Sequence, residues 1–220
     1  GAGDFTLFVD NNSTTAYNIR TGYDIVRLNA AWTGPAETDA HVASVTIPGH
    51  EFSEAPVVFR RGEVYYLLGT LACCVCTGGS NLWVLTAPSM RGPWEFRGDI
   101  GSNPTRFDPH SPRNYVMNAQ LSAAFRFPPQ PSDDDAEGST FVVGNQWNSG
   151  VNERPPGPRA HDLYYWTRLD FEEDGGIKQL QYSENCTLEA LARQRKSDDE
   201  TSSEHLTQHI DPHLMLFFDG

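Results

Sequence analysis

A chain of 220 residues with 38% hydrophobic and 11% aromatic positions can bury one sizeable core or two small ones, since domains run to about 100–200 residues. Its 29 acidic side chains against 16 basic ones give a net charge of −13 and a pI near 4.8, which repels phosphate backbones and anionic lipid surfaces and sets nucleic acid and membranes aside as partners. No apolar run approaches the roughly 20 residues that span a bilayer, and Gly1-Ala2-Gly3-Asp4 is neither a signal peptide nor a native start, so the chain reads as trimmed at its front.

The 19 Gly and 15 Pro cut the apolar residues into short pieces, which predicts strands joined by turns and an all-β fold. In chain order, strands are expected at 5–9, 15–19 and 24–28, with Asp10-Asn11-Asn12 turning the first pair. The same grammar returns at 55–59, 64–69, 82–86 and 94–97, with Arg61-Gly62-Glu63 as its first turn. It returns again at 119–127, 140–144, 164–169 and 178–182. Units of about four strands recurring at about 50 residues are the habit of β-propeller blades, although a two-sheet sandwich has a similar strand count and stays open. Residues 128–138 and 148–159 read as long surface loops, 188–195 as the one helix, and 209–218 as a tail strand on the last sheet. The expected division is a propeller over 1–185 and a helix with an acidic tail over 186–220.

Cys73, Cys74, Cys76 and Cys186 lack the paired spacing of a zinc module, which leaves a disulfide open and sets a metal cluster aside. Asn11-Asn12-Ser13, Asn12-Ser13-Thr14 and Asn185-Cys186-Thr187 fit the N-glycosylation acceptor pattern and tilt toward a secreted, extracellular protein. His205, His209 and His213 share one helical face, but scattered histidines in an acidic tail are the plainer reading. The acidic runs at 133–135 and 198–200 read as solvated loop charge. Neither a metal nor a cofactor is expected.

Seven stretches carry a resemblance: Asp4-Phe5-Thr6-Leu7-Phe8-Val9-Asp10, Ser53-Glu54-Ala55-Pro56-Val57-Val58-Phe59-Arg60, Val64-Tyr65-Tyr66-Leu67-Leu68, Ala87-Pro88-Ser89-Met90-Arg91-Gly92-Pro93-Trp94, Asn118-Ala119-Gln120-Leu121-Ser122, Gly144-Asn145-Gln146-Trp147 and Tyr164-Tyr165-Trp166. In order and spacing they resemble the five-bladed β-propellers of glycoside hydrolase family 43, nearest the exo-β-1,3-galactanase branch. The resemblance implies inverting hydrolysis of a galactose-containing polysaccharide, a reaction that needs a proton donor at the leaving oxygen and a group that orients water on the opposite ring face. It makes Glu54 the general acid, Asp4 the modulator whose charge keeps that acid protonated, and Gln120 the holder of the attacking water, because a neutral amide does not remove a proton in the ordinary way. It places substrate contacts at Thr77, Asn81 and Asn145; an aromatic face suits the apolar face of a pyranose, which adds Trp147 to them, while a tryptophan in a strand is commonly core, the reading for Trp83, Trp94 and Trp166.

Each of these residues also has a plainer reading. Asp4 can be a turn or cap residue, Glu54 a solvated loop carboxylate, Gln120 an amide bonded to strand-edge backbone, and Trp147 a core residue. The chain departs from the family as well. Thr77-Gly78-Gly79-Ser80-Asn81 stands where the family has a Thr-Gly-Trp turn, Asn145-Gln146-Trp147 where it has Asp-Arg-Trp, and the Cys73-Cys74-Val75-Cys76 insert has no counterpart. The aligned part begins in the family's second blade, so about four blades are expected. An open propeller of that kind calls for a protein partner, a preceding segment or the tail residues 214–218 to cover its ends. The competing function is a non-catalytic sugar-binding or assembly subunit.

Overall fold

The computed structural model describes residues 3–10, 14–50, 53–71, 79–102, 115–117, 119–127, 129, 137–146 and 163–181. All the regular structure among them is strand. β1 (Phe5–Val9), β2 (Ala16–Arg20), β3 (Asp24–Arg27) and β4 (His41–Ser44) pair in chain order as an antiparallel meander. So do β5 (Ser53–Arg61), β6 (Val64–Leu71), β7 (Trp83–Ala87) and β8 (Glu95–Asp99). β9 (Gln120–Phe127), β10 (Ser139–Gln146) and β11 (Leu163–Leu169) make a third, three-stranded sheet.

Side chains alternate across a strand, so a strand with apolar residues at nearly every position must bury both faces. The middle sheet does this. Val57, Phe59, Tyr66, Leu68 and Val84 share a core with Leu121, Val142, Tyr165 and Leu169 of the third sheet. Val58, Tyr65, Leu67, Trp83 and Leu85, one position out of phase, share another with Phe8, Ile19, Tyr23 and Ile25 of the first. Each large apolar side chain so buried contributes about 1.5–3 kcal/mol. Three sheets stacked in series, the middle one covered on both faces, are the arrangement of propeller blades, and the two-sheet sandwich is excluded. β5 packs between β1 and β9, so the first strands of the three sheets lie side by side. The outer face of β1 carries the exposed side chains Phe5 and Leu7, at 63% and 56%.

Two expectations need correction. β4 was absent from the sequence reading because His41-Val42-Ala43-Ser44 is short, barely apolar and partly exposed. The strand expected at 178–182 does not form among its described residues. Lys178 donates its amide to Asp170 O at 2.8 Å, but Leu180 donates to Ile100 O of the middle sheet at 3.0 Å. The Gln179 amide nitrogen also donates to Ser102 O at 2.9 Å. The segment leaves the edge of β11 to join two sheets, and Ile177 and Leu180 supply the apolar half of that join. The helix expected at 188–195 and the tail at 209–218 lie outside the described residues, as do all four cysteines, the histidines at 205, 209 and 213, and any fourth blade.

Candidate active site

Asp4, Glu54 and Gln120 occupy one end of the three neighbouring first strands. Asp4 directly precedes β1, Glu54 is the second residue of β5, and Gln120 is the first of β9. Residues far apart in the chain are brought together because each sheet starts at the same end of the stack. Asp4 Oδ2 accepts the Ala55 N–H at 3.2 Å, and Gln120 Nε2 lies 3.5 Å from Glu54 Oε2, a long and weak contact.

A bulge aims Glu54. Glu54 pairs with Thr70 and Val57 with Leu68, so Ala55 and Pro56 together oppose Gly69 alone. Bulges bend a strand and redirect its side chains, and they collect beside active sites. Here Ala55 takes a left-handed φ of 49°, an uncommon conformation for a residue with a Cβ that the surroundings must hold in place. Pro56 has no N–H to offer the ladder, and the Ala55 N–H turns instead to the Asp4 carboxylate. Gly69 makes room on the other strand: a Cβ there would stand 1.7 Å from the Tyr23 hydroxyl. Tyr23 is itself fully buried, at a φ of 55°. Burial pushes its hydroxyl well above the usual tyrosine range, with the neighbouring Ser53 hydroxyl pulling the other way. Gly22 N–H donates to Ser53 O at 2.9 Å, so the β2–β3 turn of the first sheet clamps the start of β5 just before the acid.

Gln120 is 9% exposed. Its strand is also bulged, at the shift between Val143 and Gly144 of the partner strand. A Cβ on Gly144 would meet the Ala119 Cβ at 2.7 Å and Gln120 O at 2.9 Å, so glycine allows β9 and β10 to close up beside the site. Asn145 lies directly opposite Gln120 on one side and Tyr164 on the other. The three therefore share a sheet face, running outward from the central strand. Tyr164 is exposed; the sequence reading has it in a strand and in the resemblance but gives it no site role. Its signal was the alternation of Tyr164-Tyr165-Trp166, in which Tyr165 goes to the core and its neighbours to the other face. Thr70, buried and opposite Glu54, was also missed; a lone threonine in an apolar strand gives no sequence signal.

The other expected contacts are more scattered. Asn81 is buried, and its side-chain oxygen accepts the Leu71 N–H at 2.7 Å, which ties down the end of β6. Thr77 and Trp147 lie outside the described residues. Trp83 is buried in the core and Trp94 packs half-buried against the same cluster, as expected of both. Among the described residues no group of three or more His, Cys, Asp or Glu side chains is placed to hold a metal ion.

No protein-family model matches the chain, and no curated protein matches it. Solved structures do. An exo-β-1,3-galactanase from Phanerochaete chrysosporium, determined with galactose, is 19% identical and superposes with a TM-score of 0.56 over 80% of this chain and 35% of its own. An exo-β-1,3-galactanase from Clostridium thermocellum is 16% identical, with a TM-score of 0.60 over 81% of this chain and 34% of its own. A family 43 β-1,3-galactosidase solved with galactodeoxynojirimycin is 20% identical, with a TM-score of 0.54 over 82% and 46%. The chain spans about a third to a half of the length of these structures. At such identities the likeness is one of fold, and the fold resembled is that of the galactan-cleaving propellers of glycoside hydrolase family 43.

Proposed function

We propose that this chain carries the acid and the water-holder of an inverting, exo-acting β-galactan hydrolase site and acts on a galactose-containing polysaccharide outside the cell. The observation that carries the reading is the convergence of Asp4, Glu54 and Gln120 from the starts of three successive sheets, linked through the Ala55 amide and the Gln120 amide. In this mechanism Glu54 gives its proton to the glycosidic oxygen as the bond to the anomeric carbon breaks. Gln120 holds the attacking water by hydrogen bonds. The proton that the water sheds passes to solvent, since an amide does not keep it. Asp4 acts on the acid through structure: its carboxylate holds the Ala55 N–H and with it the bulge that sets the direction of the Glu54 side chain. Tyr164, exposed on the face beside Gln120, lines the path of the sugar.

A second reading is a sugar-binding module with the same fold and no turnover. It is favoured by the 3.5 Å approach of Gln120 to Glu54, which leaves no room between them for a scissile bond, and by the uncharged Asn145-Gln146. Assay of galactose release from β-1,3-galactan by the wild type and by Glu54→Gln separates the two. Release that collapses in the variant while the fold survives supports the hydrolase; galactan binding with no release supports the module.

A further inference from the structure

An acid and a water-holder working on opposite faces of a sugar ring stand roughly 6.5–9.5 Å apart, yet Gln120 Nε2 is 3.5 Å from Glu54 Oε2. The Gln120 amide has to leave Glu54 before a glycosidic bond and its water fit between them. Across the ladder from Gln120 is Asn145, and opposed residues of an antiparallel pair have Cβ atoms only about 4.5–5.5 Å apart on one face. The Asn145 side-chain oxygen is sealed from solvent and accepts no hydrogen bond, a costly state for a buried acceptor. A donor that needs a second seat thus lies beside an acceptor that needs a donor.

We infer that Asn145 is a positioning residue whose side-chain oxygen receives the Gln120 amide when a galactoside enters. In the free protein the amide rests on Glu54; in the occupied site it turns across the strand pair to Asn145. The exchange gives up the long contact to Glu54 for one of ordinary length to Asn145, while it frees the acid to donate and opens the gap for water. The bulge at Val143 and Gly144 sets this pairing, because it shifts the register by which Asn145 faces Gln120. The inference rests on the hydrolase reading of the site, since a binding module needs no such gap.

The first test uses no turnover. In a crystal structure of Glu54→Ala, which removes the resting seat, Gln120 Nε2 is expected within about 2.7–3.2 Å of Asn145 Oδ1. An Asn145 oxygen that stays unpaired, or takes a water in place of the amide, overturns the inference. This arm decides it even if the wild-type protein releases no galactose, a result that counts against the hydrolase reading alone. In the active protein, Asn145→Leu should lower kcat on β-1,3-galactan about tenfold with KM and Tm held, the loss of one hydrogen bond. Asn145→Asp, which keeps an acceptor in place, should recover most of that loss. A change confined to KM, or a loss that Asn145→Asp does not recover, also overturns the positioning role.

Discussion

The two ends of the three central strands differ sharply in how they use polar residues. Six residues beyond Asp4, Glu54 and Gln120 stand Asp10, Arg60 and Arg126. At that far end the charges are spent on one another. Asp10 pairs with Arg60 at 3.3 Å and accepts the Tyr65 hydroxyl at 2.7 Å. Arg60 also reaches Glu63 at 2.9 Å. Arg126 donates to Arg60 O and pairs with Glu137 at 3.1 Å, while Glu137 accepts the Gly62 N–H at 3.1 Å. The chain of contacts runs through all three sheets without a break. At the Glu54 end Asp4 takes the Ala55 amide at 3.2 Å and Gln120 approaches Glu54 at 3.5 Å, both strands are bulged, and Asp4 is exposed. Stability is concentrated where no chemistry is proposed, and the candidate site is left with groups still able to change partners, a division common at functional sites.

The largest expected effect tests the site end alone. Glu54→Gln should lower galactan turnover by about 10²–10⁴-fold, the usual contribution of a positioned proton donor, with an unchanged Tm in thermal unfolding. A fall in Tm that accounts for the loss would erase the distinction between the ends. Gly69→Ala strikes the clamp between Tyr23 and the β5 bulge. Overpacking of this kind costs about 1–3 kcal/mol, so denaturant unfolding should show that loss and turnover should fall with it. Asp10→Ala should do the reverse of Glu54→Gln. Leaving the Tyr65 hydroxyl unpaired costs about 1–3 kcal/mol, and activity per folded molecule should hold.

The smallest effect is one of pH. Burial first, then the hydrogen bond to Asp10, push the Tyr65 hydroxyl up to about 12 from its ordinary 10.0. A raised folded-state value means that the fold holds this proton more tightly than the unfolded chain. The stabilisation is therefore complete below pH 10 and is lost as pH rises from about 10 toward 12. In Tyr65→Phe the decline of stability over that window should be shallower, and an unaltered slope would remove Tyr65 from the account.

Strands were legible where alternation and turn residues agreed. β1 runs over the five residues expected, and the β5–β6 hairpin turns at Arg61-Gly62-Glu63, with Gly62 at a φ of 56°. Both errors came from reading apolar content as a ladder. His41–Ser44 pairs with β3 despite a weak pattern, and the apolar Ile177 and Leu180 bury themselves without a strand between them. At the candidate site, residue types and the resemblance singled out Asp4, Glu54 and Gln120. Nothing in the letters of Ala55 indicated a left-handed backbone, nor did Gly69 disclose that it faces a tyrosine from another sheet.

The sequence alone determined which residues are apolar, where the chain turns, and that strands rather than helices carry the core, because these follow from periodicity and backbone preference within a few residues. Tertiary structure alone decided that sheets stack in series, that Asp4 finds the Ala55 amide 51 positions away, and that Asn145 faces Gln120 across a bulge. Those are distances through space between distant segments. They depend on how sheets pack and on where a single extra residue shifts a register, and no local pattern encodes either.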